Sequence, residues 1–142
     1  MPAQRASVSV ATELDPEFLL LWSHALEECV KWRGGREVVE TIRQGRTDSE
    51  RAEHLIGAGC VWVARDDHDA LLGFALCRDG LIELLHVERA YRRQGVARSI
   101  LATLANSDNP PVDALALPGD RATKSLYESI GWKARLLTMR GE

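Results

Sequence analysis

The second half of the chain breaks into short apolar runs separated by turn residues, and this pattern limits its fold most. Three strand-like runs follow one another closely, at residues 60–64, 71–77 and 81–87. The Asp79-Gly80 pair is a typical hairpin turn, so these strands are predicted to form an antiparallel meander. Helices and strands then alternate: a helix with Val96 and Leu104 on its apolar side, a strand at 112–117, a helix capped by Asp120, and a last strand at 134–139. The order predicts an α/β domain with a mixed sheet.

The first third of the chain is predicted to hold one strand and two helices. Residues 7–12 alternate apolar and small side chains, which is typical of a strand. Asp15 and Pro16 then form a helix start, and this helix is predicted to run to about residue 33. A second helix is predicted over residues 36–44. Residues 46–59 are either a loop with a third short helix or a mobile segment.

Size and charge narrow the functional classes. The 142 residues suit one domain, and 45% apolar with 27% charged residues is ordinary globular composition. The net charge of −3 argues against non-specific nucleic-acid binding, which needs an excess of cations. The longest apolar run, residues 18–22, is too short to cross a membrane, and the N-terminus lacks the apolar core of a signal peptide. We therefore expect a soluble, cytoplasmic protein with a single domain over residues 1–142.

The three cysteines, Cys29, Cys60 and Cys77, lie at long and unequal spacings. No pair of Cys or His residues has the spacing of metal ligands, so no metal site is expected. Free thiols that pack as small apolar side chains in a reducing compartment are the expected state.

Residues 81–104 join an apolar strand to a helix through a turn that contains Gly95, and this arrangement predicts an anion site. The first N–H groups of a helix have no partner within it, and the helix dipole adds partial positive charge there. Arg92, Arg93 and Arg98 add cationic charge. Neither a P-loop motif nor GxGxxG is present, so a phosphate ligand would be held in another way. The alternative is that these arginines form a solvated helix end.

Three segments of the chain resemble the GNAT superfamily of N-acetyltransferases. The run Arg92-Arg93-Gln94-Gly95-Val96-Ala97 matches the family pattern Q/R-x-x-G-x-G/A. Leu85-His86-Val87 resembles the L-x-V end of the family's fourth strand, and residues 120–132 resemble its later N-x-x-A-x-x-L-Y-E-x-x-G-F block. The resemblance implies a GNAT fold, with a mixed central sheet of about six to seven strands flanked by about four helices.

The resemblance also implies acetyl-CoA as co-substrate and no metal. In the family the glycine-bearing turn binds the pyrophosphate, and the fourth strand offers backbone groups to the pantetheine arm in a gap beside the fifth strand. Asp120 stands where the family often has Asn, so it can cap the helix but cannot donate an amide N–H. The implied cofactor-binding residues are Leu85, Val87, Arg92, Arg93, Gly95, Val96, Ala97, Arg98 and Asp120.

Two catalytic residues are predicted. Tyr127 matches the tyrosine that often protonates the departing thiolate in the family, and the alternative is a core tyrosine. Glu83 is the candidate base, because strand alternation places it on the same face as Leu85 and Val87. The alternative for Glu83 is a buried ion pair with an arginine. His86 is expected on the opposite face and is the weaker candidate.

The implied function is N-acetylation of a primary amine, most simply of a small molecule, by direct attack on acetyl-CoA. A protein lysine or N-terminal acetyltransferase is an alternative, although the predicted strand at 112–117 carries only Asp113 and lacks the glutamate that some N-terminal acetyltransferases use. A second alternative is a non-catalytic domain that binds acyl-CoA or another protein. We expect residues 16–59 and the hairpin loops to shape the acceptor site, with Trp32, Glu27 and Glu28 as candidates, although a solvated helix face would also carry such glutamates. No nucleic-acid or membrane partner is expected. The predicted last strand could also pair between two subunits, so the sequence leaves a homodimer as an alternative to a monomer.

Overall fold

Five strands form one mixed sheet in the computed structural model, which describes residues 6–141. They lie in chain order across the sheet: β1 (Ser7–Val10), β2 (Val61–Arg65), β3 (Leu71–Arg78), β4 (Leu81–Val87) and β5 (Asp113–Ala114). The first four strands are antiparallel neighbours, and β5 is parallel to β4. The predicted meander and mixed sheet are therefore confirmed.

Five α-helices cover the two faces of the sheet: α1 (Pro16–Cys29), α2 (Gly35–Arg43), α3 (Asp48–Gly57), α4 (Val96–Ala105) and α5 (Arg121–Ser129). One core cluster packs α1, α2 and α3 against the sheet. At its centre Trp22 stacks on Phe74, and Phe18 contacts the edge of Phe74. The second cluster packs α4 and α5 against the opposite face. We call these the α1–α3 face and the α4–α5 face. None of the helices among the described residues is long and apolar enough to cross a bilayer.

Local capping signals set where the helices begin. The Asp15 carboxylate accepts a hydrogen bond from the backbone N–H of Phe18 at 2.7 Å, as the N-cap prediction requires. Thr47 and Glu50 form a reciprocal capping box at the start of α3. Residues 46–59, for which the sequence left two alternatives, therefore contain a third helix of 10 residues.

Helix α1 ends at Cys29, earlier than the predicted end near residue 33, because the chain turns tightly into α2. Gly35 begins α2 directly against the carbonyl of Cys29, where an added Cβ would lie 1.8 Å from the oxygen. Only glycine fits such a close backbone approach.

The end of the sheet differs from the prediction in two ways. Strand β5 has only two residues instead of the predicted 112–117, because it pairs with β4 solely at Leu81 and Ile82 and then leaves the sheet. Residues 134–139 form no strand, so the described chain has five strands where six to seven were expected. Leu136 is 88% exposed and Met139 is 80% exposed. Without a neighbouring strand, the N–H and C=O groups of such a segment have no ladder to join.

Candidate active site

A cleft of about 500 Å³ opens where β4 and β5 diverge. Its walls come from α1, β4, the turn before α4, the start of α4, the segment after β5, and α5. Of the predicted site residues, all nine cofactor-binding residues and Glu83 line this cleft. The structure therefore brings the two motif regions and the first helix together around one space.

The N-terminus of α4 forms one end of the cleft. Gly95 is the N-cap of α4 and has a φ of 83°, in the left-handed region that glycine adopts without strain. Arg93 also has a positive φ, of 63°, so the backbone turns sharply into the helix. The first N–H groups of α4 have no acceptor within the helix, so they are available to another acceptor. The hydroxyl of Ser99 donates separately to the carbonyl of Gly95. The geometry of the predicted anion site is present.

The arginines near this turn have different surroundings. Arg92 donates from Nε to the carbonyl of Val87 at 2.7 Å and from Nη2 to Glu28 at 2.6 Å, so its charge is already balanced. Arg93 is exposed, and Arg98 is exposed with one bond to the Ser129 hydroxyl at 2.9 Å. The cations available to an anion are therefore Arg93 and Arg98, and the role predicted for Arg92 in phosphate binding stays a prediction.

Strand β4 forms the long wall of the cleft. Its pairing with β5 stops at Ile82, while its pairing with β3 continues to Val87. The edge of β4 beyond Ile82, which includes Leu85, is consequently open to the cleft. An open strand edge of this kind can pair with an extended ligand arm.

A β-bulge interrupts the alternation of β4 at Glu83. Leu76 pairs with Leu84 and Cys77 with Ile82, so Glu83 is the extra residue. Its carboxylate accepts two hydrogen bonds from Arg78, one of them from Nη2 at 2.9 Å. Arg78 lies two residues beyond Leu76, which packs on the α1–α3 face.

The predicted common face of Glu83, Leu85 and Val87 is therefore wrong. Leu85 and Val87 pack on the α4–α5 face, whereas Glu83 meets Arg78 on the other one. The buried arginine pair that the sequence offered as an alternative is present, since the Glu83 side chain is only 6% exposed. The role of Glu83 as base stays a prediction.

A network of charged and polar side chains connects β4 to α1. Nε2 of His86 lies 3.1 Å from the Glu88 carboxylate, and Nδ1 lies 3.6 Å from Glu28. Glu88 is in turn 3.2 Å from Nδ1 of His24 on α1. The spacing of His86 and Glu88, which follows the end of β4, is visible in the sequence. The contacts with Glu28 and His24 on α1 are not, so the sequence does not reveal this network.

The pKa values in this network follow from burial and charge. Burial lowers the pKa of His86, although the hydrogen bond to Glu88 and the charge of Glu28 act in the opposite direction. Burial acts to raise the pKa of Glu28, but the hydrogen bond and charge of Arg92 outweigh it, so that pKa is lowered. At neutral pH the network holds a neutral imidazole between two carboxylates.

Tyr127 lies in the core and does not line the cleft. It is 6% exposed, and its ring stacks on Trp132 with the ring centres 5.5 Å apart. Burial raises the pKa of its phenol, so the hydroxyl is protonated at neutral pH. Leu126, its neighbour on α5, does line the cleft. The role of Tyr127 as acid stays a prediction.

The remaining cleft residues include a cap and a thiol. Asp120 caps α5, as predicted, by accepting from the backbone N–H and the hydroxyl of Thr123 at 3.2 and 2.7 Å. Burial raises the pKa of Cys29 to about 11, so its thiol is protonated. Trp32, the sequence candidate for the acceptor side, lines the cleft with Cys29 and Glu28. Within residues 6–141, no group of three or more His, Cys, Asp or Glu side chains is placed to hold a metal ion.

The acetyltransferase (GNAT) domain model matches residues 57–134, which is more than half of the chain. The chain therefore belongs to the GNAT acetyltransferase family, and the resemblance seen in the sequence is confirmed.

Solved structures of this family share the fold. Aminoglycoside N-acetyltransferase AAC(6')-Iy in complex with CoA superposes with a TM-score of 0.57 at 15% identity, covering 97% of this chain and 95% of that one. A GNAT family acetyltransferase from Listeria monocytogenes gives 0.60 at 14% identity, with coverage of 97% and 93%. A GNAT family protein from Streptococcus pneumoniae gives 0.56 at 18% identity, with coverage of 97% and 100%. No curated protein sequence matches the chain significantly.

Proposed function

We propose that this protein is an acetyl-CoA-dependent N-acetyltransferase that acetylates the primary amine of a small molecule by direct attack. The observation that carries the proposal is the continuous cleft from the N-terminus of α4, along the open edge of β4, to α1. One end offers backbone donors for an anion, the middle offers an open strand edge, and the far end has the Glu28 carboxylate beside His86.

The phosphate end of acetyl-CoA would bind at the start of α4. The N–H groups of Gly95, Val96 and Ala97 are the donors there, because the first turn of a helix leaves them unpaired. Arg93 and Arg98 would add charge. The pantetheine arm would then lie along the edge of β4 at Leu85, where β5 has already left the sheet.

The acceptor would enter from the α1 side of the cleft. Glu28, Cys29 and Trp32 line that end, and they combine one carboxylate with an apolar wall. A carboxylate beside an aromatic surface suits a cationic amine. Support for a small acceptor comes from AAC(6')-Iy, which has been solved with the bisubstrate analog CoA-S-monomethyl-acetylneamine.

The chemistry needs positioning and proton transfer. The amine nitrogen attacks the thioester carbon, the C–N bond forms, and the C–S bond breaks with its electron pair moving to sulfur. Holding both reactants in one cleft turns this into an effectively unimolecular step. The amine must lose one proton and the thiolate must gain one, so a base and an acid each raise the rate. Tyr127 is the proposed acid.

Release of free thiol from acetyl-CoA in the presence of an amine panel tests the proposal. We expect turnover with small primary amines and little with lysine peptides or N-terminal peptides. Preferred turnover on peptides would support a protein acetyltransferase instead. Tight CoA binding without turnover on any acceptor would support a non-catalytic binding domain.

Gly95→Trp tests the assignment of the phosphate end. We expect it to abolish CoA binding measured by calorimetry, because the indole would fill the space in front of the first turn of α4. Gly45→Trp is the matched control. Gly45 has a φ of 73° and nothing within 4 Å of an added Cβ, so it carries the same backbone strain outside the cleft. Unaltered CoA binding by a folded Gly95→Trp protein would overturn the assignment.

A further inference from the structure

His86 occupies the wall of the cleft where the reacting atoms of the proposed reaction would meet. It lies on β4 between Leu85 and Val87, the residues proposed to border the pantetheine arm. The residue is 8% exposed, and the centre of its ring lies 6.3 Å from the ring centre of Phe74 on the α1–α3 face. The imidazole is thus fixed in place and still reaches the acceptor end of the cleft.

The two ring nitrogens have different environments. Nε2 is within hydrogen-bond distance of Glu88, at 3.1 Å, and Glu88 does not line the cleft. Nδ1 is 3.6 Å from Glu28, which does line the cleft, and this distance is too long for a hydrogen bond. The pKa of Glu88 is lowered, so its ionised carboxylate can only accept and Nε2 carries the ring hydrogen. Nδ1 then keeps its lone pair on the side of Glu28.

The carboxylate behind His86 is itself held in position. Glu88 also contacts His24, 3.2 Å away on α1, so its orientation does not depend on His86 alone. A carboxylate that accepts from one imidazole nitrogen fixes the tautomer and stabilises the imidazolium that forms when the other nitrogen takes a proton.

The charges around His86 come from two elements. Glu28 and Glu88 supply two negative charges, and Arg92 supplies one positive charge through its bond to Glu28. The charge of Arg89 also lowers the pKa of Glu28, and the hydrogen bond from His24 lowers the pKa of Glu88. Because burial lowers the pKa of His86, the imidazole is neutral and able to accept a proton at physiological pH.

We propose that His86 is the base of this enzyme, accepting at Nδ1 the proton that the acceptor amine gives up, with Glu88 as its positioning residue. The inference rests on the proposed function. The acceptor ammonium would lie between Glu28 and His86 and pass one proton to Nδ1. The free amine then forms the C–N bond as the C–S bond breaks, and the nitrogen gives up a second proton as it becomes an amide. This second proton balances the one that the departing thiolate gains. His86 returns its proton to solvent through the cleft.

Glu83 is less suited to this step in its observed position. Both of its oxygens accept from Arg78, so taking up a proton would break a buried charge pair. Variants of the two residues therefore separate the two assignments.

The first experiment measures kcat against pH for His86→Asn, Glu83→Gln and the wild type with an alkyl amine that is charged at pH 7. We expect His86→Asn to lose about 10²-fold or more in kcat at pH 7, as removal of a general base does. The kcat of His86→Asn should then rise with pH, because the fraction of free amine increases. It should not reach the plateau expected in the pH profile of the wild type. With a weakly basic aromatic amine, which carries no proton to remove before attack, the loss should be at least tenfold smaller. His68→Asn, in an exposed turn, is the control.

The second experiment guards against a folding defect in His86→Asn. Glu88→Gln should keep acetyl-CoA affinity, reduce kcat several-fold, and move the acidic limb of the pH profile to lower pH. In the His86→Asn background the same change should have no further effect. Equal pH profiles for wild type and His86→Asn, or loss of the limb only in Glu83→Gln, would overturn the assignment. If the wild type neither binds CoA nor acetylates any amine, the proposed function fails first and the inference fails with it.

Discussion

Single residues of the cleft illustrate how one amino acid can have a chemical or a structural role depending on its neighbours. Arg92 matches the first position of the pyrophosphate motif, yet its guanidinium joins β4 to α1 through Val87 and Glu28. His86 was the weaker sequence candidate for a base, yet it faces the cleft between two carboxylates. The motif identifies the backbone turn reliably, because the turn depends on Gly95, whereas side-chain roles depend on contacts from α1.

At the scale of single residues, the variant Tyr127→Phe tests whether this tyrosine is a catalytic acid or only a core residue. The change removes only the hydroxyl and keeps the ring that stacks on Trp132, so the fold should be retained. If Tyr127 protonates the thiolate, kcat should fall by about tenfold or more with acetyl-CoA affinity unchanged. Tyr91→Phe, which alters a second tyrosine beside the cleft, is the control. An unchanged kcat would assign Tyr127 to the core alone.

At the scale of elements, the helices α1 to α3 set the acceptor side, and their ends are set by local signals. The capping box at Thr47 and Glu50 begins α3, and Arg51 in that helix donates to the carbonyl of Ile42 at 2.6 Å. This contact ties α3 to α2. Residues 46–59 therefore form part of the packed core that supports α1, and Ala52 and Leu55 are fully or almost fully buried.

Thr47→Ala measures how much this cap contributes. Loss of the hydroxyl leaves the N–H of Glu50 without its acceptor, so the free energy of unfolding should fall by about 1 kcal/mol. Urea unfolding followed by circular dichroism gives the value. Ser49→Ala, at an exposed position of the same helix, should change it much less. A Thr47→Ala protein as stable as Ser49→Ala would show that the cap is dispensable.

At the scale of the whole molecule, sequence patterns predicted the elements that depend on local signals and missed those that depend on partners. The meander, the turn at Gly95 and the Asp15 and Asp120 caps could be predicted, because each depends on residues close in the chain. The bulge at Glu83 could not, since it exists only in the register with β3.

Dependence on distant partners also explains the two wrong predictions at the end of the sheet and the failure to predict the His86 network. Residues 134–139 are mostly apolar, as a strand would be, but a strand also needs a neighbour, and β5 diverges after two residues. The His86 network joins α1 to β4 across 64 positions of sequence, a distance that no local pattern reveals.

This network also makes the stability of the whole protein depend on pH. Because the folded pKa of His86 is lowered, the unfolded chain takes up a proton near its ordinary value of about 6.5 while the folded chain does not. Its contribution to stability is complete above that value and is lost as the pH falls through it. The pKa of Glu28 and that of Glu88 are also lowered, so their contributions are present above the ordinary value of 4.5 and are lost at lower pH. All three groups act in the same direction.

We therefore expect the free energy of unfolding to fall when the pH is lowered from 7 to 5.5, before most carboxylates titrate. Urea unfolding at a series of pH values measures this slope. His86→Asn should flatten the slope in this window, because asparagine does not titrate, whereas His68→Asn should keep it, since His68 is exposed in a turn. A His86→Asn protein with the wild-type slope would show that folding leaves the pKa of this imidazole unchanged. A steeper slope in His86→Asn than in the wild type would show that folding raises this pKa and favours the charged imidazole. Such a result would argue against His86 as a neutral proton acceptor, so the stability measurement tests the catalytic assignment without any substrate.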